Sequence, residues 1–473
     1  MKDSRPNILF FFPDQHRFDW LGSNPGIPVR TPNIDRLGEN GIRFTNTITP
    51  SPLCSPARAC LASGKEYARC RVPENDVDYP LDQVSFYTLL REAGYHVTGC
   101  GKFDLNKGSF DWGLDGKNFL KEWGFSDGIN NEGKNDGILT MIRGDKKPKG
   151  PYISYLARKG LLDLHIQDIF PRYFKSAIFN GNWAATYPTP LPDDAYCDNW
   201  LAENGLHLMD NFPDDQPWFL QVNFTGPHQP LDITEKMKTW YEDVDFPQPN
   251  DEEKRTSPYP PYGLEYYAEI NKSWHEPYHP GKPHTPEQHN EVRQNYSAMV
   301  ENIDRWLGIY IEKLRERGEL ENTLIVFSSD HGEMLGDHGY WEKHRPYQPS
   351  IGVPFITAGP GVREGSVIDV PITILDLTAT FLDYGEVPRQ DGMDSRSMRP
   401  LFEGQTNKHR DYVLSAMGDW RLVYDGRFKL VQGYGNKPLL FDLKNDPFEN
   451  NDIFMTAKDE ANRLSAELKR EAL

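Results

Sequence analysis

The stretch NILFFFPDQ, residues 7–15, indicates the fold class of this chain of 473 residues. Its apolar run lacks the polar alternation of a half-exposed strand, so it predicts a strand buried on both faces, which Pro13-Asp14 ends with a turn. Similar strands are predicted at residues 95–99, 218–223 and 323–327, and helical segments separate them. The last of those helices begins at Thr285 with a capping-box pattern. This alternation predicts an α/β fold, with a mostly parallel sheet sandwiched by helices.

The chain changes character beyond about residue 405. Four short segments, at 412–416, 420–424, 428–432 and 439–442, predict an antiparallel sheet, and Asp425-Gly426 is a hairpin signal between two of them. A polar helix follows from about residue 456. We therefore predict a catalytic domain over residues 1–404 and a smaller C-terminal α+β subdomain over residues 405–473. Irregular stretches at about 106–194 and 230–283 are predicted to be insertions that shape the substrate site, or else plain surface excursions.

Composition limits the partners and the location of the protein. The formal net charge of -18 disfavours nucleic acid and anionic membrane as partners. No apolar run is long enough for a membrane-spanning helix, and the first residues lack the apolar stretch of a secretory signal. The prediction is a cytoplasmic protein, or a periplasmic or secreted one if a signal peptide has been removed. Five cysteines, an odd number without zinc-type pairing, predict buried thiols rather than a disulfide framework.

Polar residues follow the C-terminal ends of the four predicted strands. They are Asp14 and Gln15, Lys102 and Asp104, His228, and Asp330 and His331. In open α/β sheets the crevice outside the carboxyl ends of the strands is where ligands bind, so one shared site is predicted. Two carboxylates, an amide oxygen and an imidazole form an oxygen-rich set that suits calcium, and suits magnesium or manganese less well. Taken singly, an acidic residue after a strand is more often a helix cap or a turn former.

The segment Cys54-Ser55-Pro56-Ala57-Arg58 combines a potential nucleophile with a cation. Proline in the first turn predicts the start of a helix, because its missing N–H costs nothing there. Cys54 would then face free backbone N–H groups and the positive end of the helix dipole. Arg58 would lie one turn further along the same face. This arrangement suits an anionic tetrahedral group, although spacing alone also allows an ordinary cysteine before a capped helix.

The same segment resembles Cys-x-Pro-x-Arg, the signature of the type I, formylglycine-dependent sulfatases, which a maturation enzyme reads when it oxidises the cysteine. The surrounding sequence agrees with this resemblance. The matching elements are Pro6-Asn7-Ile8-Leu9 before Asp14, Gly101-Lys102, Pro227-His228-Gln229-Pro230, Ser329-Asp330-His331-Gly332-Glu333, Glu342-Lys343, and Leu440-Phe441-Asp442-Leu443 with Asp446-Pro447. The resemblance covers nearly the whole chain. It implies an alkaline-phosphatase-like fold with a smaller C-terminal domain.

The resemblance also implies a role for each matching residue. The ligands that it implies for one calcium ion are Asp14, Gln15, Asp330, His331 and the formylglycine made from Cys54. The catalytic residues that it implies are Cys54 as the nucleophile, Arg58, Lys102 and Lys343 as stabilisers of charge, and His228 as the acid that protonates the departing alcohol. Further candidates for contact with the substrate are Asp104, His344 and Arg345. A basic run such as residues 343–345 is otherwise usually solvated.

Two residues depart from the family pattern. Many sulfatases carry a second aspartate where Gln15 stands, so this site has one negative charge fewer. They also often carry histidine where Asp104 stands. Because an acid there repels sulfate, Asp104 is expected to orient Lys102 or to hydrogen-bond a substrate hydroxyl.

We therefore predict a sulfuric ester hydrolase that acts on a sulfated carbohydrate, and the net charge favours a small or end-on substrate. Aromatic residues of the two predicted insertions can stack on sugar rings; they are Trp183, Tyr187, Trp240, Tyr259 and Tyr262. Two alternatives stay open. The pattern Asp14-Gln15-x-Arg17-x-Asp19 resembles the opening motif of phosphonate monoester and phosphodiester hydrolases, although Lys102 argues against that group. The other alternative is a non-catalytic protein that binds sulfated glycans, against which the complete Cys54 motif argues.

Overall fold

An eight-stranded sheet forms the centre of the protein in the computed structural model, which describes residues 5–173, 185–250 and 285–471. Its strands, in spatial order, are β5 (Asp127–Asn130), β4 (His96–Gly101), β6 (Trp218–Asn223), β1 (Asn7–Phe11), β7 (Thr323–Ser328), β8 (Phe355–Ala358), β2 (Ile42–Phe44) and β9 (Ser366–Ile368). Within this sheet β8 is antiparallel to both of its neighbours, and all other pairings are parallel. The predicted mostly parallel α/β sheet is confirmed.

Strand β1 is buried on both faces, as its apolar sequence predicts. It pairs with β6 on one side and with β7 on the other, so that Leu9 lies opposite Leu220 and Ile325. Alternate residues enter two separate apolar clusters: Phe10 packs in one and Phe11 in the other. Because every β1 residue is buried, no alternation of polar residues can appear in its sequence.

Helices cover both faces of this sheet. In chain order they are α1 (Pro32–Glu39), α2 (Cys54–Ser63), α3 (Phe86–Glu92), α4 (Leu120–Trp123), α5 (Lys134–Arg143), α6 (Pro151–Lys159), α7 (Leu162–Tyr173), α8 (Cys197–Met209), α9 (Glu235–Lys238), α10 (Pro286–Glu316), α11 (Gln348–Ile351), α12 (Asp376–Tyr384) and α13 (Arg399–Phe402). The predicted capping box of α10 is confirmed: Gln288 N donates to Thr285 Oγ1 at 3.3 Å, and Thr285 N donates to Gln288 Oε1 at 2.9 Å. A two-stranded parallel sheet joins β3 (Thr47–Ile48) to β10 (Ile372–Thr373).

The C-terminal part contains the predicted antiparallel sheet. Its strands follow one another in space as in sequence: β11 (Val413–Met417), β12 (Trp420–Tyr424), β13 (Phe428–Gln432) and β14 (Leu439–Asp442). Helix α14 (Lys458–Glu471) packs on one face through Ala461, Leu464 and Leu468. The other face packs in a cluster with Leu53, Met334 and Tyr347, which belong to segments next to the predicted site.

The two predicted insertions differ in how far the structure describes them. The first contains β5 and helices α4 to α7, while most of the second, residues 251–283, lies outside the described residues. All five cysteines are buried and none forms a disulfide, as predicted. In the described part of the chain no helix combines the length and the apolar character needed to cross a membrane.

Candidate active site

The parallel strands bring distant residues of the chain to one edge of the sheet. Asp14 and Gln15 follow β1, Lys102 follows β4, and Asp330 follows β7. Gln15 N donates to Asp330 Oδ1 at 3.0 Å, which joins the ends of the two central strands. The predicted residues that follow β1 and β7 therefore lie together at the carboxyl ends of the strands.

Four buried side chains converge there. The ligand atoms of Asp14, Cys54, Asp330 and His331 all lie within 4.8 Å of one another. His331 Nε2 is 3.2 Å from Cys54 Sγ, 3.6 Å from Asp14 Oδ1 and 3.8 Å from Asp330 Oδ2. Its Nδ1 is 3.1 Å from the carbonyl of Gly332, which turns Nε2 towards the other three groups. We call these four residues the ligand cluster.

Helix α2 places a cysteine and a cation at this cluster, as its sequence predicts. Cys54 is its first residue, the N-cap residue Leu53 makes no side-chain capping bond, and Gly64 ends the helix in the left-handed conformation. Arg58, one turn along, donates from Nε to Asp330 Oδ2 at 2.9 Å. Its Nη2 lies 3.7 Å from Asp14 Oδ2 and makes no hydrogen bond to any described residue. That buried N–H group can therefore donate to an anionic oxygen without breaking another hydrogen bond.

Lys102 starts a row of alternating charges that runs away from the ligand cluster. Its Nζ contacts Asp14 Oδ2, lies 3.8 Å from Cys54 Sγ, and pairs with Asp104 Oδ2 at 3.0 Å. Lys107 continues the row, 3.1 Å from Asp104 and 3.6 Å from Asp136. The side chains of Lys107 and Asp136 are 14 % and 15 % exposed, whereas the side chain of Asp104 is 1 % exposed. Asp104 thus pairs with Lys102, one of the two roles considered for it from the sequence.

A second lysine contacts Gln15 and His228. Lys343 Nζ lies 2.6 Å from both Gln15 Oε1 and His228 Nε2. His228 Nδ1 is 2.6 Å from the carbonyl oxygen of Gln229, so Nδ1 carries the hydrogen and Nε2 accepts from the lysine. His228 and Lys343, two of the residues to which the resemblance gives catalytic roles, therefore contact each other directly.

Burial and neighbouring charges shift the pKa values of the groups in this site. Burial alone would raise the pKa of Asp14, but Lys102, followed by His228, His331 and Arg58, together outweigh burial and hold this pKa well below its ordinary value. Burial and Asp14 raise the pKa of the Cys54 thiol, whereas Lys102, Lys343 and His331 lower it, and the net shift is downward. Burial, together with the nearby Lys343, lowers the pKa of His228 well below its ordinary value. The free site is therefore poised to hold negative charge, with His228 in its neutral form.

The donor set fits a calcium ion. Two buried carboxylates, the amide oxygen of Gln15 and an oxygen in place of the Cys54 sulfur would supply the oxygen ligands that calcium prefers. Burial lowers the pKa of His331, but the Asp330 carboxylate and the Cys54 sulfur raise it above its ordinary value overall. A pKa raised by adjacent negative groups indicates a position that favours a cation.

The remaining candidates lie at the border of the site. His344 and Arg345 are 8 % exposed, and His344 N donates to the carbonyl of Pro52, close to Cys54. Arg17 does not reach the ligand cluster by any described contact; it pairs with Asp19 and Asp337, both at 2.6 Å. The Arg17–Asp19 part of the rival motif is thus engaged in an ion-pair network of its own.

The aromatic candidates are described only in part. Tyr187 is 44 % exposed and stacks with Arg172, whose guanidinium lies 3.7 Å from the ring centre. Trp240 is partly buried and packs with Arg305 at 3.8 Å. Trp183, Tyr259 and Tyr262 lie outside the described residues.

Sequence reasoning missed a second layer of polar residues behind Gln15 and Lys102. Gln229, Glu333 and Glu342 form hydrogen bonds around the Gln15 side chain, and Lys107 with Asp136 extends the charges of Lys102. Gln229 and Glu333 lie inside motifs that the resemblance uses, yet nothing local distinguishes them from turn residues. Only the three-residue spacing from Asp104 to Lys107 could have indicated a contact of this layer, the ion pair between these two residues.

A buried ligand cluster, a helix N-terminus and three cations define a hydrolase site for a tetrahedral anion. The chain matches the Sulfatase family over residues 6–387 and the family described as "N-sulphoglucosamine sulphohydrolase, C-terminal" over residues 336–473. It belongs to the sulfatase family, whose members are sulfuric ester hydrolases of alkaline-phosphatase-like fold.

Individual relatives cover nearly the whole chain. An arylsulfatase from Clostridium perfringens is 26% identical, over 94% of this chain and 89% of its own. An N-acetylglucosamine-6-O-sulfatase from Bacteroides thetaiotaomicron is also 26% identical, over 96% and 83%. The crystal structure of a phosphonate monoester hydrolase from Agrobacterium radiobacter superposes with a TM-score of 0.78 at 24% identity, over 99% and 95%. At 24% identity, the similarity to this hydrolase shows only that the two proteins share a fold.

Proposed function

We propose that this sulfatase-family enzyme hydrolyses a sulfate ester of a carbohydrate, using a formylglycine made from Cys54 and one calcium ion. The observation that carries the proposal is the ligand cluster, in which Cys54 lies at the N-terminus of α2 beside two carboxylates. Calcium, when bound, would supply a Lewis acid that polarises a sulfate oxygen and favours the deprotonated nucleophile. The residues assigned to it are Asp14, Gln15, Asp330, His331 and the oxidised Cys54.

The cations of the site would bind the sulfate group and stabilise its charge. Arg58 contributes the Nη2 group that has no hydrogen bond to a described residue, and Lys102 contributes Nζ at 3.8 Å from the Cys54 sulfur. Lys343 contributes the Nζ that donates to Gln15 Oε1. Because these groups are buried and already fixed by Asp330, Asp104 and Gln15, little reorganisation is needed when charge develops on sulfate.

His228 is the proposed donor to the departing alcohol. In the free site burial and Lys343 keep its pKa low, so the imidazole is neutral. A bound sulfate anion beside Lys343 would offset that repulsion and raise the pKa of His228, which favours its protonation only when substrate is present. Asp104 is proposed to keep Lys102 oriented rather than to contact sulfate, since their charged atoms lie 3.0 Å apart.

The substrate class rests on relatives and on charge. Carbohydrate is supported by the N-acetylglucosamine-6-O-sulfatase relative and by the family matched over residues 336–473. The net charge of -18 would repel a long sulfated polymer, which favours a small or end-on substrate. A formylglycine-generating maturation enzyme is the proposed partner, and residues 1–404 and 405–473 are the proposed domains.

The decisive experiment combines mass spectrometry with an activity assay. After co-expression with a formylglycine-generating enzyme, the tryptic peptide carrying Cys54 should contain an aldehyde, in which oxygen replaces sulfur and two hydrogens are lost. The same preparation should release sulfate from a panel of sulfated sugars in a calcium-dependent manner. Cys54→Ala should abolish release, whereas Cys100→Ala, at a buried cysteine outside the cluster, should retain it. Activity that survives Cys54→Ala, or the absence of the aldehyde in active protein, would contradict the proposal.

A second candidate keeps the same residues but acts on a phosphonate monoester or phosphodiester. The motif from Asp14 to Asp19 favours it, whereas the contacts of Lys102 with Asp14 and Cys54 favour the sulfatase. Turnover of an aryl sulfate and of a matching aryl phosphonate ester should be compared in one preparation. A higher kcat/KM for the phosphonate would transfer the assignment to this candidate. Binding of sulfated sugars with no turnover of either ester would support the non-catalytic alternative.

A further inference from the structure

The carboxylate of Asp104 is shared by two lysines. Its Oδ2 atom lies 3.0 Å from Lys102 Nζ and 3.1 Å from Lys107 Nζ, and its side chain is almost fully buried. Asp104 adopts the left-handed backbone conformation, with φ 52°, which aspartate tolerates better than most residues. An ionised carboxylate offers several lone pairs, so one oxygen can pair with both ammonium groups. The two lysines therefore divide one negative charge between them.

A second carboxylate also contacts Lys107. Asp136 Oδ2 lies 3.6 Å from Lys107 Nζ and belongs to the first turn of α5. The turn before that helix lies close to Lys102, because a Cβ atom at Gly133 would be 3.4 Å from Lys102 Cε and 2.6 Å from Asp136 Oδ2. The loop after β4 and the start of α5 thus pack together around these charges.

Without Lys107, the ammonium of Lys102 would serve two carboxylates alone. It contacts Asp14 Oδ2 and pairs with Asp104, so both acceptors would draw on one positive charge. Burial raises the pKa of Asp104, but the neighbouring cations, Lys102 first, lower it below its ordinary value overall, so this carboxylate is ionised at neutral pH. An anionic group beside Lys102 would be repelled by the charge on Asp104. Lys107 supplies the second cation that offsets this repulsion.

We propose that Lys107 is a positioning residue, which neutralises Asp104 and so leaves the charge of Lys102 available to a sulfate group. Among the contacts of the described residues, Asp104 and Lys107 make none with the ligand cluster, so the role is separate from cation binding. The inference rests on the proposed function for the sulfate group alone, and not for calcium, the formylglycine or the carbohydrate.

Lys107→Met should weaken the binding of inorganic sulfate by at least about tenfold, because removing one partner of a buried ion pair leaves the other charge uncompensated. The variant keeps the length of the side chain and removes only its charge. Asp104 would then hold Lys102 more strongly and also repel sulfate. The value of kcat/KM for an aryl sulfate should fall as well, but by less than the about 100–1,000-fold expected when a directly acting group is removed.

A double-mutant cycle with Asp104→Asn separates this role from simple attraction of sulfate by Lys107. Asparagine also tolerates the left-handed backbone, and its amide oxygen can still accept from Lys102 without carrying a charge. In the Asp104→Asn background, Lys107→Met should change sulfate affinity by less than about threefold, because no carboxylate remains to be neutralised. Lys107→Arg should retain most of the wild-type affinity, because it keeps the positive charge.

Asp136→Asn provides a second test at a partly exposed position, where the folded structure is expected to survive. Lys107 would then pair with Asp104 as its one remaining carboxylate among the described residues. The variant should therefore bind sulfate at least as tightly as the wild type. Weaker binding would contradict the proposed role of Lys107.

The measurement is isothermal titration of the full chain with sodium sulfate, in buffer that contains calcium chloride and with Cys54 left unoxidised. Lys313→Met is the matched control, because it breaks an ion pair of 2.6 Å with Asp210, at the end of α8, and should bind sulfate as the wild type does. A merely structural role for Lys107 would lower the melting temperature of Lys107→Met and leave its sulfate affinity unchanged.

Three results would overturn the inference: wild-type affinity in Lys107→Met, an equal loss on Lys107→Met in both backgrounds, or a wild type that does not bind sulfate. An equal loss in both backgrounds would mean that Lys107 attracts sulfate by itself and not through Asp104. Sulfate binding without hydrolysis of any sulfate ester by the matured protein would overturn the proposed function and leave this inference standing.

Discussion

Lys102 lies between two carboxylates and beside the proposed nucleophile. Its ammonium contacts Asp14, pairs with Asp104 at 3.0 Å and lies 3.8 Å from Cys54 Sγ. Burial lowers the pKa of Lys102, but Asp104 and Asp14 raise it well above its ordinary value overall. The side chain therefore stays charged at neutral pH, and its charge is available to a bound sulfate.

Lys102→Ala should lower kcat/KM for an aryl sulfate by about 100–1,000-fold, the usual effect of removing one preorganised group that stabilises the transition state. Initial rates over a range of substrate concentrations provide the measurement. Lys117→Ala is the control, because Lys117 is nearly half exposed and pairs only with Asp127 among the residues described. Similar losses in both variants would remove Lys102 from the proposed mechanism.

Glu132 is a buried acid outside the ligand cluster. One of its oxygens accepts from Ile153 N at 2.8 Å, and the other has no hydrogen-bond partner among the described residues. Burial raises the pKa of this carboxyl to about 7. The folded protein thus binds a proton that the unfolded chain releases near pH 4.5, so the resulting stabilisation is complete below that pH and is lost as pH rises to about 7.

The free energy of unfolding should therefore fall by up to about 3 kcal/mol between pH 4.5 and pH 8 because of Glu132. Denaturant titrations across this range should show a weaker dependence on pH in Glu132→Gln than in the wild type. Glu203→Gln, at an exposed position of α8, should retain the wild-type dependence. Parallel curves for the wild type and Glu132→Gln would show that Glu132 ionises normally.

At the scale of elements, the position of Cys54 depends on where α2 begins and how it ends. Gly64 ends the helix with φ 67°, and its N–H donates to the carbonyl of Cys60. A Cβ atom at Gly64 would lie 2.9 Å from both Ser395 Oγ and Thr378 Cγ2. Glycine is thus required twice, once for the left-handed backbone and once for the space next to it.

Gly160 allows the two requirements to be separated. It ends α6 with φ 71°, and a Cβ atom there would meet nothing within 4 Å. Gly160→Ala should cost about 1–2 kcal/mol from the backbone conformation alone. Gly64→Ala should cost about 1–3 kcal/mol more, from overpacking, as measured by chemical denaturation. Equal losses would mean that Ser395 and Thr378 move aside freely.

The C-terminal sheet supports the loop that carries Lys343. Lys429 of β13 pairs with Glu449 and donates to the carbonyl of Pro346 at 2.6 Å. Glu449 in turn accepts from Gln348 N at 2.6 Å. The side chains of Lys429 and Glu449 are both fully buried, so breaking this ion pair would leave a buried charge without a partner, which is costly.

At the scale of the whole molecule, the ligand cluster joins segments that are more than 300 residues apart in sequence. Asp14 follows β1, Asp330 follows β7, and α2 lies between them in the chain. The assembled set exists only in the folded protein, because the unfolded chain cannot hold these carboxylates together. Calcium should therefore stabilise the native state, by an amount that increases with the logarithm of its concentration above its Kd.

Thermal unfolding should occur at a higher temperature with calcium than with a chelator. The stabilisation is expected to be about 2.7 kcal/mol when free calcium reaches about one hundred times its Kd. Asp330→Asn should lose most of this calcium-dependent shift, because it removes one of two carboxylate ligands. Asp35→Asn, at a partly buried acid on α1, should keep it. Equal shifts in the wild type and in Asp330→Asn would place the calcium elsewhere.

The sequence alone determined four adjacent strands of the sheet (β4, β6, β1 and β7), the start of α2 and the capping box of α10, because local physics decides each of them. A buried strand is recognised by its apolar run, a helix start by Pro56 in the first turn, and a capped helix by Thr285 with Gln288 three residues on. The residues that end the parallel strands were also predictable, since such ends share one edge of a sheet.

Only the tertiary structure decided which polar side chains meet behind that edge. The bonds of Gln15 with Glu333 and Lys343, and those of Glu449 with Lys429, join distant segments at a definite separation and orientation. A hydrogen bond requires its atoms to lie about 3 Å apart, and no periodic pattern encodes that separation between remote segments. The sequence therefore determined which elements form, whereas the folded molecule decided which charges become partners.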